Sequence, residues 1–139
     1  MATFSKFNAF TVDLTAAKHD FSSATYKVML TNTAPVATNA VKADITEITA
    51  ANGYSAGGPT TTVTRSNASG VETILCSDVT VTATGAVGPF RYCVLYNDTQ
   101  TTPAKPLVGW ADYGSAVTMA NGDTFTVDFD GTNGVMQVG

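Results

Sequence analysis

Apolar residues near the start of the chain recur with a helical period. Phe7, Phe10 and Leu14 fall at positions i, i+3 and i+7, and Phe4 extends this stripe by one turn. The charged residues of the segment lie off the stripe. The pattern predicts a short amphipathic helix over residues 4–19.

From about residue 24 the period changes to that of a strand. Tyr26, Val28 and Leu30 alternate with other residues, which predicts a strand packed mainly on one face. Residues 39–48 permit two interpretations, a second short helix or a further strand. Glycine and proline between residues 53 and 59 interrupt both periods and predict a loop.

The rest of the chain has the pattern of strands. Between Val71 and Ala83 the odd positions are predicted to face inward, in one long strand or in two joined at a bulge near Ser77 and Asp78.

Residues 90–96 carry apolar side chains at odd and at even positions, as expected of a central strand covered on both faces. Asn121-Gly122 predicts a two-residue hairpin turn, and residues 135–138 a final short strand.

These elements predict a mainly β fold with a short N-terminal helix. About seven or eight short strands, separated by turn signals roughly ten residues apart, are typical of a β-sandwich or a jelly-roll-like barrel. With 139 residues, the chain is predicted to form a single β-rich domain over residues 1–139.

The composition of the chain argues against several classes of protein. Charged residues make up only 13% of the chain and apolar residues 44%, which argues against disorder and leaves a surface rich in uncharged polar side chains. Such a surface can be buried against a partner at small desolvation cost. The net charge of −4 and the seven scattered Lys and Arg argue against nucleic-acid binding. Neither a secretory signal nor a membrane-spanning segment is predicted.

No catalytic, metal or cofactor site is predicted from the sequence. Cys76 and Cys93 are interpreted as buried free thiols, with a disulfide as the alternative. His19 lies in a polar stretch without a nucleophile motif. The acidic turn at residues 128–134 lacks the final glutamate of an EF-hand and is interpreted as a hairpin turn.

Trp110, Asp112 and Tyr113 form an aromatic and acidic cluster of the kind that suits sugar stacking. Packing at a sheet edge or a subunit interface is the interpretation we favour. Phe7, Phe10, Trp110 and Tyr113 are accordingly the candidate interface residues.

Segments throughout the chain resemble a family of small structural proteins from the virions of tailed bacteriophages. The least characteristic part lies between residues 60 and 85. The segments are KFNAF (6–10), KVMLTNTAP (27–35), ADITEI (43–48), GYSAGG (53–58), GPFRYCVLYND (88–98), GWADYGS (109–115) and GDTFTVDF (122–129).

The resemblance implies a non-enzymatic virion component made in the cytoplasm of a bacterial host. Of the possible places, the capsid surface suits a small, acidic, threonine-rich domain that must dock many times on a lattice. We therefore expect a decoration or cement protein, a dimer or trimer that binds the major capsid protein or other virion proteins. A tail, baseplate or host-surface-binding component is the alternative.

Overall fold

The computed structural model describes residues 3–139, so Met1 and Ala2 of the predicted domain lie outside the described residues. Helix α1 spans Asn8–Thr15, and a 3₁₀ turn spans Lys42–Asp44. The strands are β1 Ser5–Lys6, β2 Tyr26–Thr31, β3 Thr60–Thr61, β4 Val63–Ala68, β5 Val71–Cys76, β6 Val79–Thr82, β7 Val87–Asn97, β8 Leu107–Met119, β9 Thr124–Val127 and β10 Met136–Val138.

The strands pair in antiparallel fashion in three sheets. A five-stranded sheet has the order β1-β8-β7-β2-β3, a three-stranded sheet the order β10-β5-β4, and β6 pairs with β9. The architecture is mainly β and sandwich-like with one helix near the N-terminus, which confirms the predicted fold class. The described residues contain ten strands rather than seven or eight, partly because β1 and β3 are only two residues long.

Strand β7 is the middle strand of the five-stranded sheet, as the sequence predicted. Cys93 and Leu95 belong to one buried apolar cluster, whereas Val94 and Tyr96 belong to a second cluster. Because side chains alternate along a strand, these two clusters cover opposite faces of β7. The sheet therefore has core on both sides at this strand.

Strand β2 is buried more fully than its alternation predicted. Val28 and Leu30 are buried, but Met29 and Thr31 on the other face are also 0% exposed. Met29 packs into the second apolar cluster, and the Thr31 hydroxyl donates a hydrogen bond to the Thr46 carbonyl at 2.5 Å. The prediction of a strand packed mainly on one face was wrong, because β2 lies beside β7 and the same two apolar clusters cover both strands.

The N-terminal helix is shorter than the predicted residues 4–19. Ser5 and Lys6 form β1 and pair with β8, so the segment before α1 is extended. Phe7 keeps extended backbone angles, and Ala17 adopts a positive φ of 59°, which is incompatible with continuing a right-handed helix. The sheet edge and this left-handed residue limit α1 to eight residues.

Residues 39–48 form neither a regular helix nor a named strand. The segment contains only the 3₁₀ turn, with one bridge between Val41 and Pro106. The Asp44 carboxylate accepts the N–H groups of Ala40 at 2.8 Å and Val41 at 3.1 Å. These hydrogen bonds cap the start of the 3₁₀ turn, and the extended backbone of Ile45 ends it after three residues.

The chain breaks at Ser77 and Asp78, which agrees with the second of the two interpretations, but the two strands on either side join different sheets. In β5 the buried residues are Ile74 and Cys76, whereas Val71 is 38% exposed. The prediction that the odd-numbered residues face inward was therefore wrong for β5 and right for β6. The two connecting residues shift the alternation by one position.

The turn at Asn121-Gly122 exists but does not join a hairpin. The Asp123 N–H donates to the Ala120 carbonyl at 3.0 Å, and Gly122 has a φ of 90°, as such a turn requires. Strand β9, however, pairs with β6 instead of β8. The turn thus carries the chain from one sheet to another.

Candidate interaction surfaces

The four predicted interface residues separate into two groups. Phe7 and Phe10 are 1% and 0% exposed, so this fold does not present them at a surface. Trp110 is half-buried and packs on the Phe7 ring at 4.5 Å between centroids. Tyr113 alone is strongly exposed, at 60%. The buried pair serves the core, and Tyr113 stays available to a partner.

The outward side of α1 forms an uncharged stripe. Asn8, Thr11, Val12 and Thr15 are all exposed, and they follow each other at i, i+3, i+4 and i+7. Val12 is 67% exposed, the largest fraction among the exposed large apolar residues of the described chain. The helix therefore presents a continuous neutral side to solvent.

The loop after β2 extends this stripe. The Asn8 N–H donates to the Ala37 carbonyl at 2.9 Å, which holds the loop against the start of α1. Val36 in this loop is 53% exposed. We name the exposed residues of the helix and loop together the neutral face: Asn8, Thr11, Val12, Thr15, Val36 and Ala37.

The neutral face was not predicted from the sequence, because Phe7 and Phe10 on the apolar stripe were the expected contact residues of this segment. Val12 is the large apolar residue of α1 that lies off that stripe. An apolar residue at such a position is the available sequence signal for a contact surface. Val36 carries no comparable signal, since it lies in a loop without a period.

The exposed Tyr113 lies in a bulge of β8. Strands β7 and β8 pair at Tyr92 with Asp112 and again at Phe90 with Val117. Between these pairs β8 has the four residues 113–116 and β7 only Arg91. The extra residues leave the ladder, as in a large β-bulge. Gly114 within the bulge has a φ of 100°, which favours glycine.

A cleft of about 280 Å³ lies between this bulge and β9. The Arg91 Nε and Nη2 atoms donate to the two Asp112 carboxylate oxygens at 2.7 and 2.9 Å. These hydrogen bonds, with one from the Gly114 N–H, hold the pKa of Asp112 below its usual value. Cys93 and Val127 contribute apolar lining.

A second polar cluster centres on Glu47. Its carboxylate accepts hydrogen bonds from the Tyr54 hydroxyl at 2.6 Å, the Gly57 N–H at 2.6 Å and the Lys42 ammonium at 2.7 Å. Burial alone raises the pKa of Glu47, but these three donors outweigh it and lower the pKa. Tyr54 in turn accepts the N–H of Leu30 in β2 at 3.0 Å. Glu47 thus ties the loop before β3 to the sheet.

His19 is buried among aromatic rings. Its Nδ1 lies 3.3 Å from the Tyr26 hydroxyl, which also accepts a hydrogen bond from the Asn97 amide at 3.4 Å. The tyrosine hydroxyl therefore links the imidazole to the Asn97 amide, and the tautomer of the neutral ring decides which atom donates in the His19–Tyr26 hydrogen bond. Among the residues that the structure describes, none is a hydrogen-bond partner of Nε2. Burial lowers the pKa of His19 from 6.5 to about 4.

This burial makes acid stability depend on His19. The unfolded imidazole binds a proton below pH 6.5 and the folded one only near pH 4, so stability falls as the pH decreases through this window. The shift corresponds to up to about 3 kcal/mol. We expect His19→Gln, compared with the unchanged chain, to flatten the unfolding free energy between pH 6.5 and 4 in urea titrations. Parallel pH profiles for the two proteins would contradict this assignment.

The remaining sequence candidates are structural in this fold. Cys76 and Cys93 are both free and buried, and burial raises the pKa of their thiols to about 12 and about 11. Asp130 accepts the N–H groups of Thr132 and Asn133 at 2.8 Å each, so it caps its own turn. Residues 3–139 contain no group of three or more His, Cys, Asp or Glu placed to hold a metal ion.

Comparison with known proteins gave no relative. No family model, curated protein or solved structure matches the chain. Within residues 3–139, no helix has the length and apolar character to cross a membrane.

Proposed function

We propose that this protein is a non-enzymatic structural protein of a tailed-phage virion, and that it decorates the capsid by docking through the neutral face. The neutral face is the observation that carries the proposal. Burial raises the pKa of the Cys76 and Cys93 thiols and lowers that of His19, so neither a thiolate nor an imidazolium is favoured at neutral pH, which agrees with a structural role.

The composition of the neutral face suits repeated docking. Burying a charge without a partner costs far more than burying a hydroxyl or amide that finds a hydrogen bond. The side chains of this face carry no charge, and Val12 and Val36 supply exposed apolar area. A modest contact per copy is sufficient, because many copies act together on a lattice.

Contacts between copies are part of the proposal. Strand β4 lies at the edge of the three-stranded sheet, so its outer main-chain groups are available to a second copy. The five-stranded sheet ends in strands of two residues, which offer little edge for open-ended pairing. Pairing of β4 with β4 of a second copy would be isologous and therefore closed, which would give a dimer rather than a filament.

The proposal predicts that charge on the neutral face prevents docking. We expect Val12→Asp and Val36→Asp to reduce the copies per purified particle by tenfold or more, because each places an unpaired carboxylate in the contact. Thr118→Asp, on the exposed part of β8, is the matched control and should be incorporated normally. Circular dichroism checks that all three variants fold. Normal incorporation of both valine variants would contradict docking through this face.

A further inference from the structure

We propose that the cleft beside Tyr113 binds a saccharide ring, with the tyrosine as a stacking platform and the Arg91–Asp112 pair as hydroxyl partner. This inference does not depend on the virion proposal, since the cleft and the neutral face share no residue.

The tyrosine ring is exposed and also supported. Tyr113 packs edge-on against Phe125 at 5.3 Å between centroids, and Phe125 packs edge-on against the buried Phe90 at 4.8 Å. A supported aromatic ring loses little freedom when a ligand stacks on it. Of the two interpretations favoured from the sequence, packing at a sheet edge does not account for a tyrosine that stays 60% exposed, whereas a subunit interface does and is the alternative to a sugar here.

The polar side of the cleft suits hydroxyl groups. Arg91 has five N–H donors and gives two to Asp112, so three remain for a ligand or water. The guanidinium charge is already balanced by Asp112, which makes the site a poor match for a lone anion. A hydroxyl both donates and accepts, so it can bond to the arginine and to the carboxylate.

The size and lining of the cleft indicate one sugar ring. A volume of about 280 Å³ is just below the range of typical small-molecule sites. A pyranose has an apolar C–H face for the tyrosine ring and hydroxyls at its rim for the ion pair. Trp110 does not contribute, because it packs on Phe7 instead. The sequence cluster of Trp110, Asp112 and Tyr113 is therefore replaced by Tyr113, Phe125, Arg91 and Asp112.

The test is a titration of the isotope-labelled full chain, followed by amide chemical shifts. The probes are glucose, galactose, mannose, N-acetylglucosamine and rhamnose, with the acyclic polyol sorbitol as the control. At least one sugar should shift the Tyr113 and Gly114 amides with a Kd on the order of 1 mM, and sorbitol should not. Tyr113→Ala should weaken binding at least tenfold, whereas Tyr113→Phe should retain it.

Val12→Asp is the matched variant outside the cleft and should bind the sugar normally, whatever its effect on particles. The inference is overturned if no sugar shifts these amides, if sorbitol acts equally, or if Tyr113→Ala binds as well as the unchanged chain. Shifts caused by purified major capsid protein and by no sugar would assign the cleft to a protein partner and also overturn it.

Discussion

Replacing Val94 with Asp is expected to abolish the folded protein. Val94 is 0% exposed in the middle strand of the five-stranded sheet and packs in the cluster that contains Met29 and Leu107. A carboxylate at this position has no cation to pair with in that cluster, and burying it costs several kcal/mol. A loss of about 4 kcal/mol or more removes most of the stability of an average domain. Soluble yield and urea unfolding measure the effect.

Val94→Ala is the control that measures the effect of a smaller side chain without a charge. It removes apolar atoms without adding a charge and should cost about 2 kcal/mol while leaving a folded protein. Wild-type solubility and unfolding of Val94→Asp would contradict the central position of β7 and the two-sided core.

The second large effect is expected at Glu47. Glu47→Ala removes the carboxylate that accepts hydrogen bonds from Tyr54, Gly57 and Lys42. These three donors then lose this acceptor in a partly buried site. We expect a loss of about 3 kcal/mol in the free energy of unfolding at pH 7. Glu72→Ala, which breaks a more exposed pair with Arg65, should have a much smaller effect on the free energy of unfolding.

The pH dependence separates Glu47 from a simple loss of packing. Because the folded pKa of Glu47 lies below its unfolded value of 4.5, its stabilisation is complete above that pH. It is lost as the pH falls through the folded pKa. The difference between the unchanged chain and Glu47→Ala should therefore shrink in acid. A difference that is constant with pH would show that the carboxylate charge is unimportant.

The features predicted correctly from the sequence depend on local patterns. Apolar side chains at odd and even positions of residues 90–96 identified the central strand, because a strand buried on both faces has no polar side. Phe10 and Leu14 located the helix, since both pack against the first apolar cluster, whereas Phe7 precedes α1 and packs in the second cluster. A division at Ser77 and Asp78 was one of two interpretations of residues 71–83, and the structure has this division.

The features that were missed depend on tertiary contacts. Ser5 and Lys6 form a strand only because β8 offers them an edge, and β9 pairs with β6 although a turn signal precedes it. The parity of β5 follows the sheet it joins, which no local period specifies.

The candidate sites were predicted only in part, because they too depend on tertiary contacts. Tyr113 and Asp112 were found as neighbours in the sequence. Arg91 and Phe125 come to them from other strands, and no spacing in the sequence predicts these contacts. Val12 lay off the apolar stripe and was overlooked as a surface residue.

Counting the copies of this protein in purified virions tests the central proposal most directly. Quantitative mass spectrometry against the major capsid protein gives the ratio. A decoration protein on a repeating head lattice should be present in hundreds of copies per particle, in a fixed ratio to the capsid subunit. Absence from the particles would contradict a virion role, and roughly six to a few dozen copies would contradict capsid decoration in favour of a tail location.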